Sequence, residues 1–202
     1  MIKAIIFDLG GVYFTDGTTI ALKKIEKEFK LPFGVLREIF SEKGELGRKY
    51  RKGEIDEERF WDEAEKRLKL EGESLLRIRE IWHSSYKPNP GMKDLVISLR
   101  RKYRVAVLSN NTSERVKYLN ERYGLDSVFD VYVYSFDYGR LKPDPFLFME
   151  VLEKLGVRAE ESVLIDNRVK ILREAERLGI NTILFKSEKQ LKEELRALGL
   201  EF

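Results

Sequence analysis

Four places in this chain hold residue types that could break a bond to phosphorus or carbon. Asp8 follows the apolar run Ala4-Ile5-Ile6-Phe7, and Ser109 and Asn110 follow Val105-Ala106-Val107-Leu108. Lys142 stands in Gly139-Arg140-Leu141-Lys142-Pro143, and Asp166 and Asn167 close Ser162-Val163-Leu164-Ile165. A carboxylate can attack covalently. A hydroxyl beside free N–H groups at a helix start can hold phosphate oxygens. A lysine and a Mg²⁺ ion can offset the charge on a transferring phosphoryl group. Brought together, these are the parts for phosphoryl transfer through an aspartyl-phosphate.

Composition removes several competing chemistries. The chain has no cysteine, which excludes disulfides, thiolate nucleophiles and Cys-based metal sites. His83 is the only histidine, so multi-His metal sites are excluded too. Lone histidines are usually structural or exposed, and that is the expectation for His83. Charged residues make up 36% and nearly cancel at +3, with basic and acidic residues interleaved as on solvated helices. Nucleic-acid binding would favour a segregated basic stripe; only Arg48 to Lys52 forms a small cluster. No run has the roughly 18 apolar residues of a membrane span. The short apolar N-terminus turns acidic at Asp8 and reads as a strand, not a signal peptide. The expectation is a cytoplasmic protein with no nucleic-acid or membrane partner, a monomer or homodimer. Abundant Lys and Glu without Cys points to a thermophilic source.

The elements that would position the four sites follow a clear rhythm. Residues 2–7 read as a buried strand closed by Asp8 and the Gly10-Gly11 turn. From Gly91 onward, helices (92–102, 112–123, 145–155) alternate with strands (104–109, 129–135, 162–166, 180–185). A further helix closes at Gly179, and a last one begins at the Ser187/Gln190 capping box. This alternation predicts an α/β fold: a Rossmann-like, doubly wound parallel sheet whose strand ends form the ligand crevice. Residues 16–87 have helical spacing only. One helix carries Ile20, Ala21, Leu22, Ile25 and Phe29, and Pro32 opens a second. Asp56 N-caps a third, with Phe60, Trp61, Ala64 and Leu68 on its apolar face, and Leu75, Leu76, Ile78, Ile81 and Trp82 mark a fourth. The stretch ends at Lys87-Pro88-Asn89-Pro90-Gly91. The expected organisation is a core of residues 1–15 and 88–202 with an inserted α-helical cap at 16–87.

These motifs resemble those of the haloacid dehalogenase-like superfamily. FDLGG at 7–11 is similar to motif I, LSNN at 108–111 to motif II, GRLKPDP at 139–145 to motif III and VLIDN at 163–167 to motif IV. GEID at 53–56 followed by Phe60-Trp61 resembles the branch with a helical cap between motifs I and II. The resemblance implies Asp8 as nucleophile, Lys142 as catalytic cation, and Ser109 and Asn110 as substrate binders. It implies Mg²⁺ held by Asp8, the Gly10 carbonyl, Asp166 and Asn167, with Asp166 alternatively positioning Lys142 or a metal-bound water. The implied activity is a Mg²⁺-dependent phosphatase for a small phosphorylated metabolite.

The chain departs from the family pattern twice. Gly10 stands where phosphatases usually carry a second Asp, the general acid–base whose loss typically costs about 10² to 10⁴ in rate. Asn167 replaces the second acid of motif IV, which weakens a site for a hard cation. Two alternatives stay open: a 2-haloacid dehalogenase, which needs neither metal nor second acid, and a member that binds a phosphate ligand or partner without turnover. Asp16 is a candidate substitute proton donor. Arg48 to Lys52 read either as a solvated basic turn or as residues facing the crevice. Tyr13, Phe14 and Tyr138 fall near the expected mouth, and Trp61 and Trp82 in the cap's own core. Connections 14–18 and 87–91 are expected to let the cap move as a rigid unit about Gly17 and Gly91.

Overall fold

The computed structural model describes all 202 residues. Five strands form one parallel sheet: β1 (Ala4–Phe7), β2 (Arg104–Ser109), β3 (Val131–Tyr134), β4 (Ser162–Asp166) and β5 (Asn181–Leu184), in the order β3-β2-β1-β4-β5. The order reverses between β1 and β4, and a crevice opens beyond the strand ends at such a point. Asp8, which follows β1, and Asp166, which ends β4, flank it.

The sheet is buried on both faces, so the middle positions of its central strands are apolar in succession and not only at alternate ones. Ile5, Phe7, Val105, Val107, Val163 and Ile165 point to one side, where α6 (Met92–Arg100), α7 (Ser113–Tyr123) and α11 (Glu188–Ala197) cover them. Ile6, Ala106, Leu108, Val131, Val133 and Leu164 point to the other, under α9 (Pro145–Leu155) and α10 (Val169–Arg177). The capping box on Ser187 and Gln190 forms as expected. A one-turn helix, α8 (Ser135–Tyr138), follows β3.

The stretch between β1 and α6 contains five helices: α1 (Gly17–Phe29), α2 (Phe33–Phe40), α3 (Glu45–Arg51), α4 (Glu57–Leu68) and α5 (Gly72–Ser84). They pack around their own core, which includes Phe40, Tyr50, Phe60, Trp61 and Trp82. Asp56 caps α4 by accepting from the Arg59 N–H at 2.9 Å. The sequence reading contained only four helices here. It missed α3 because this helix is two turns long and its basic residues mask the pattern. Leu46, Tyr50 and Arg51 are buried while Arg48 is exposed.

The two connections to the insert are laced together. Thr15 N–H donates to Lys87 O at 2.9 Å, Asn89 N–H to Tyr13 O at 2.9 Å, and the Asn89 amide to Val12 O at 2.7 Å. Gly17 is packed so tightly that a Cβ there would lie 2.1 Å from the Tyr86 ring. Tyr13 and Phe14 are buried in the sheet core beside this junction, with the Tyr13 ring 5.3 Å from that of Phe129, and so contribute packing. The Tyr138 hydroxyl donates to Glu150 on α9 at 2.9 Å. No helix is long and apolar enough to cross a membrane.

Candidate active site

At the carboxyl ends of the strands, one lysine bridges two acids. Lys142 Nζ lies 2.9 Å from Asp8 Oδ1 and 2.7 Å from Asp166 Oδ2, and the lysine side chain is 0% exposed. Burial pushes the Asp8 carboxyl above the usual carboxylate range, and the Lys142 charge works against that rise. The backbone at Lys142 is fixed by Asn110, whose Oδ1 accepts from Lys142 N–H at 2.8 Å and whose Nδ2 donates to Lys142 O at 3.2 Å. Asn110 therefore aims the lysine as well as lining the site.

Asp166 is placed to hold Lys142, one of the two roles expected of it. Its Oδ2 faces Lys142; its Oδ1 accepts from the Arg168 N–H at 2.9 Å and lies 3.5 Å from Arg168 Nε. Its geometry is that of a group positioning Lys142. No cluster of three or more His, Cys, Asp or Glu side chains forms. The groups at the chamber wall that could hold a cation, beside Asp166 behind it, are the Asp8 carboxylate, the Gly10 carbonyl and the Asn167 amide. Asn167 folds onto the motif I loop: a Cβ on Gly11, whose φ is +84°, would lie 2.1 Å from Asn167 Nδ2. Glycine is needed at this position both for its backbone angle and for that contact. Mg²⁺ is commonly held by one or two carboxylates together with substrate phosphate oxygens and water. This sparse set fits an ion shared with a phosphate.

Asp8, Gly10, Ser109, Asn110 and Asn167 all line one chamber of about 390 Å³ between the strand ends and the helical insert. Lys142 lies beneath its floor. Asp16 reaches the same chamber but also caps α1, with its Oδ1 accepting from Thr19 N–H at 3.2 Å. Of the basic cluster 48–52, Arg51 lines the chamber. Lys49 pairs with Glu45 at 2.6 Å, Lys52 pairs with Glu54, and Tyr50 is buried in the insert.

Of the chamber residues unseen in the sequence, three surround the groups already described. Glu42, between α2 and α3, reaches down from the insert to pair with Arg168 and to accept from Asn110 Nδ2 at 3.0 Å. Burial alone would raise its carboxyl, but Arg168 and the Asn110 amide hold it below the usual range. Arg168 follows directly on motif IV, the one available signal. Tyr86 fills the space beside Gly10: a Cβ on Gly10 would meet its ring at 3.6 Å and its hydroxyl at 3.9 Å. That hydroxyl lies 2.6 Å from Thr18 Oγ1 and accepts from Arg115 Nη1 at 3.2 Å.

His83 stays out of the chamber. It is buried 2.8 Å from Glu114 on α7, and burial pushes its imidazole below the ordinary value.

Comparison with known proteins places this geometry. A Bacteroides thetaiotaomicron HAD family enzyme, solved in complex with magnesium and inorganic phosphate, superposes with a TM-score of 0.77 at 26% identity, over 93% of this chain and 96% of that one. The glyceraldehyde 3-phosphate phosphatase of Methanothermobacter thermautotrophicus is 27% identical over 93% of this chain and 87% of its own length. The mouse acyl-CoA dehydrogenase family member 10 is 29% identical over 97% of this chain, which spans only 19% of that longer protein. Residues 2–183 match the family model described as haloacid dehalogenase-like hydrolase. With its four motifs converging at the ends of one parallel sheet, the chain belongs to the haloacid dehalogenase-like hydrolases.

Proposed function

We propose that this hydrolase is a Mg²⁺-dependent phosphatase acting on a small phosphorylated metabolite through an aspartyl-phosphate on Asp8. The observation that carries the reading is the enclosed Lys142 ammonium bridging Asp8 and Asp166 at the floor of a polar chamber. A carboxylate oxygen of Asp8 attacks phosphorus, the bond from phosphorus to the leaving oxygen breaks, and that oxygen takes a proton from water or a chamber donor. Water then attacks the phosphorus of the acyl phosphate and frees phosphate and Asp8. Lys142 stays in place throughout and offsets charge on the phosphoryl oxygens. Asp166 and Asn110 hold it there, and the Ser109 hydroxyl binds a phosphate oxygen. Asp8, the Gly10 carbonyl and Asn167 would hold a Mg²⁺ ion there, which when bound would add positive charge near the phosphoryl group. With glycine at position 10, good leaving groups are favoured over alkoxides.

p-Nitrophenyl phosphate, whose leaving group needs little protonation, tests the reading. Turnover is expected in the wild type with Mg²⁺, with loss on chelation and in Asp8→Asn. A rate indifferent to Asp8→Asn overturns it. Halide release from 2-chloropropionate in EDTA would assign the site to dehalogenation instead.

A further inference from the structure

The insert side of the chamber carries charge that the chemistry of the floor does not use. Arg51, the last residue of α3, lines the chamber yet is only 3% exposed. Its Nη1 donates to Gly47 O at 2.9 Å and its Nη2 to Phe40 O at 2.8 Å, with Thr18 Oγ1 a distant 3.5 Å from Nη2. Phe40 ends α2, so a helix C-terminus compensates part of the charge. No carboxylate forms an ion pair with the guanidinium, although the Glu42 charge acts on it from a distance. Glu42, the acid on this wall, is held by Arg168 and Asn110, and Asp16 is occupied with the start of α1.

The molecule's other deeply buried arginine lies away from the chamber, between two aromatic rings. Arg115 is stacked 4.0 Å from the Trp82 ring and 4.2 Å from the Tyr86 ring and stays out of the chamber lining. Burial pushes both guanidiniums below the ordinary value, but Arg51 has no aromatic stack and its side chain borders the chamber. A buried charge without a counter-charge in contact is costly, and a ligand anion is one way to supply it. Two exposed cations, Arg37 and Lys43, line the same wall and form none of the molecule's ion pairs or side-chain hydrogen bonds.

We propose that Arg51, with Thr18 beside it and Arg37 and Lys43 flanking it, forms a second anion subsite. The substrate is then a phosphate monoester whose leaving group carries a further carboxylate or phosphate. The proposal rests on the phosphatase reading of the floor and deepens it. Phosphate ester sits over Asp8, the second anion points up to the insert, and Arg51 selects between metabolites that the floor cannot tell apart.

Matched pairs of substrates test this. Glyceraldehyde 3-phosphate and 3-phosphoglycerate differ by aldehyde against carboxylate; fructose 6-phosphate and fructose 1,6-bisphosphate differ by one phosphate. The doubly anionic member of one pair should show a kcat/KM at least about tenfold higher, mostly through KM, and the pair with the larger ratio tells carboxylate from phosphate. Arg51→Gln should collapse that ratio, Arg51→Lys should restore part of it, and the exposed double variant Arg37→Gln/Lys43→Gln should lower it several-fold. The double variant decides the matter if Arg51→Gln fails to fold. Equal kcat/KM within both pairs, or a ratio unmoved by these variants, overturns the subsite.

Calorimetric titration with phosphonoacetate and methylphosphonate in Mg²⁺ separates this proposal from the phosphatase reading. Tighter binding of phosphonoacetate that is lost in the variants, with no turnover of any ester, would keep the subsite and reject the phosphatase. Equal affinity for the two phosphonates would reject the subsite whatever the turnover.

Discussion

Two buried charge clusters face opposite ways in this molecule. At the strand ends, one cation serves two carboxylates: Lys142 lies between Asp8 and Asp166, and Asp8 borders the chamber. Behind the insert the ratio is inverted. One carboxylate, Glu114 on α7, draws donors from three helices of the insert: the Tyr50 hydroxyl at 3.0 Å, Trp61 Nε1 at 3.0 Å and Arg79 Nε, with His83 Nε2 at 2.8 Å. The first cluster has a reactive group at the edge of a cavity. The second has its donors committed to Glu114 and ties insert to core. Burial and ion pairing alone do not mark an active site; what distinguishes the first is that one of its members, Asp8, lines the chamber.

The sharpest way to break the comparison is at Asp8. Asp8→Asn should lower phosphatase turnover by on the order of 10⁴-fold or more, as removal of a covalent nucleophile does. The melting temperature should hold or rise, because Lys142 keeps Asp166 and one desolvated carboxylate is gone. A fall of several degrees would mean that Asp8 is chiefly structural.

Lys142→Met should damage both activity and stability. It leaves buried Asp8 without the cation in contact with it and Asp166 with Arg168 alone, a change worth about 3–5 kcal/mol of stability, and it removes a charge stabiliser worth about 10²–10³ in kcat. Denaturant unfolding and steady-state kinetics on one preparation would show both effects. Full stability would mean that Arg168 alone can neutralise Asp166.

Glu114→Gln should do the opposite of Asp8→Asn: it should lower stability and leave the chemistry in place. Burial alone would raise the Glu114 carboxyl, but His83, Trp61 and Arg79 hold it down at about 2. The folded value therefore lies below the ordinary 4.5. The sign follows: the group's contribution is fully present above pH 4.5 and is lost as pH falls through that value toward about 2. The contribution is on the order of 2–3 kcal/mol at neutral pH. Wild type should lose stability between pH 5 and pH 2 more steeply than Glu114→Gln, by urea unfolding at each pH. Parallel curves would remove Glu114 as the acid-labile tie.

The sequence made the first cluster legible and left the second invisible, for a physical reason. Asp8, Ser109, Lys142 and Asp166 each sit where an apolar run ends or a breaker begins, so the parallel-sheet rule alone brings them together. Glu114 is an ordinary acid in the first turn of a helix, and only tertiary packing turns Tyr50, Trp61, Arg79 and His83 toward it. The sheet could be read because its strands are short, apolar and evenly spaced by helices. Helix α3 could not, since its buried face consists of Leu46, Tyr50 and an arginine. Glu42 and Tyr86 enter the chamber from a turn and a linker that carry no period at all. The insert supplies the chamber's upper wall, and so the least legible part of the fold is the part that meets a substrate's leaving group.

The smallest expected effect lies at the one ion pair that joins the two regions across the chamber. Glu42 belongs to the insert, Arg168 to the core, and both are about one-third exposed, at 29% and 33%. Such a pair contributes roughly 0–1 kcal/mol, so Glu42→Gln should barely move the melting temperature. Its charge nevertheless faces the chamber where a phosphate dianion must enter. Removing it should lower KM for p-nitrophenyl phosphate about two- to fivefold at low salt, and the gain should fade by 1 M salt, where screening acts within about 3 Å. A higher KM would show that Glu42's main work is to hold Arg168 and Asn110 in place. The ion pair would then be part of the binding floor, and the insert would have to be seated before substrate could bind.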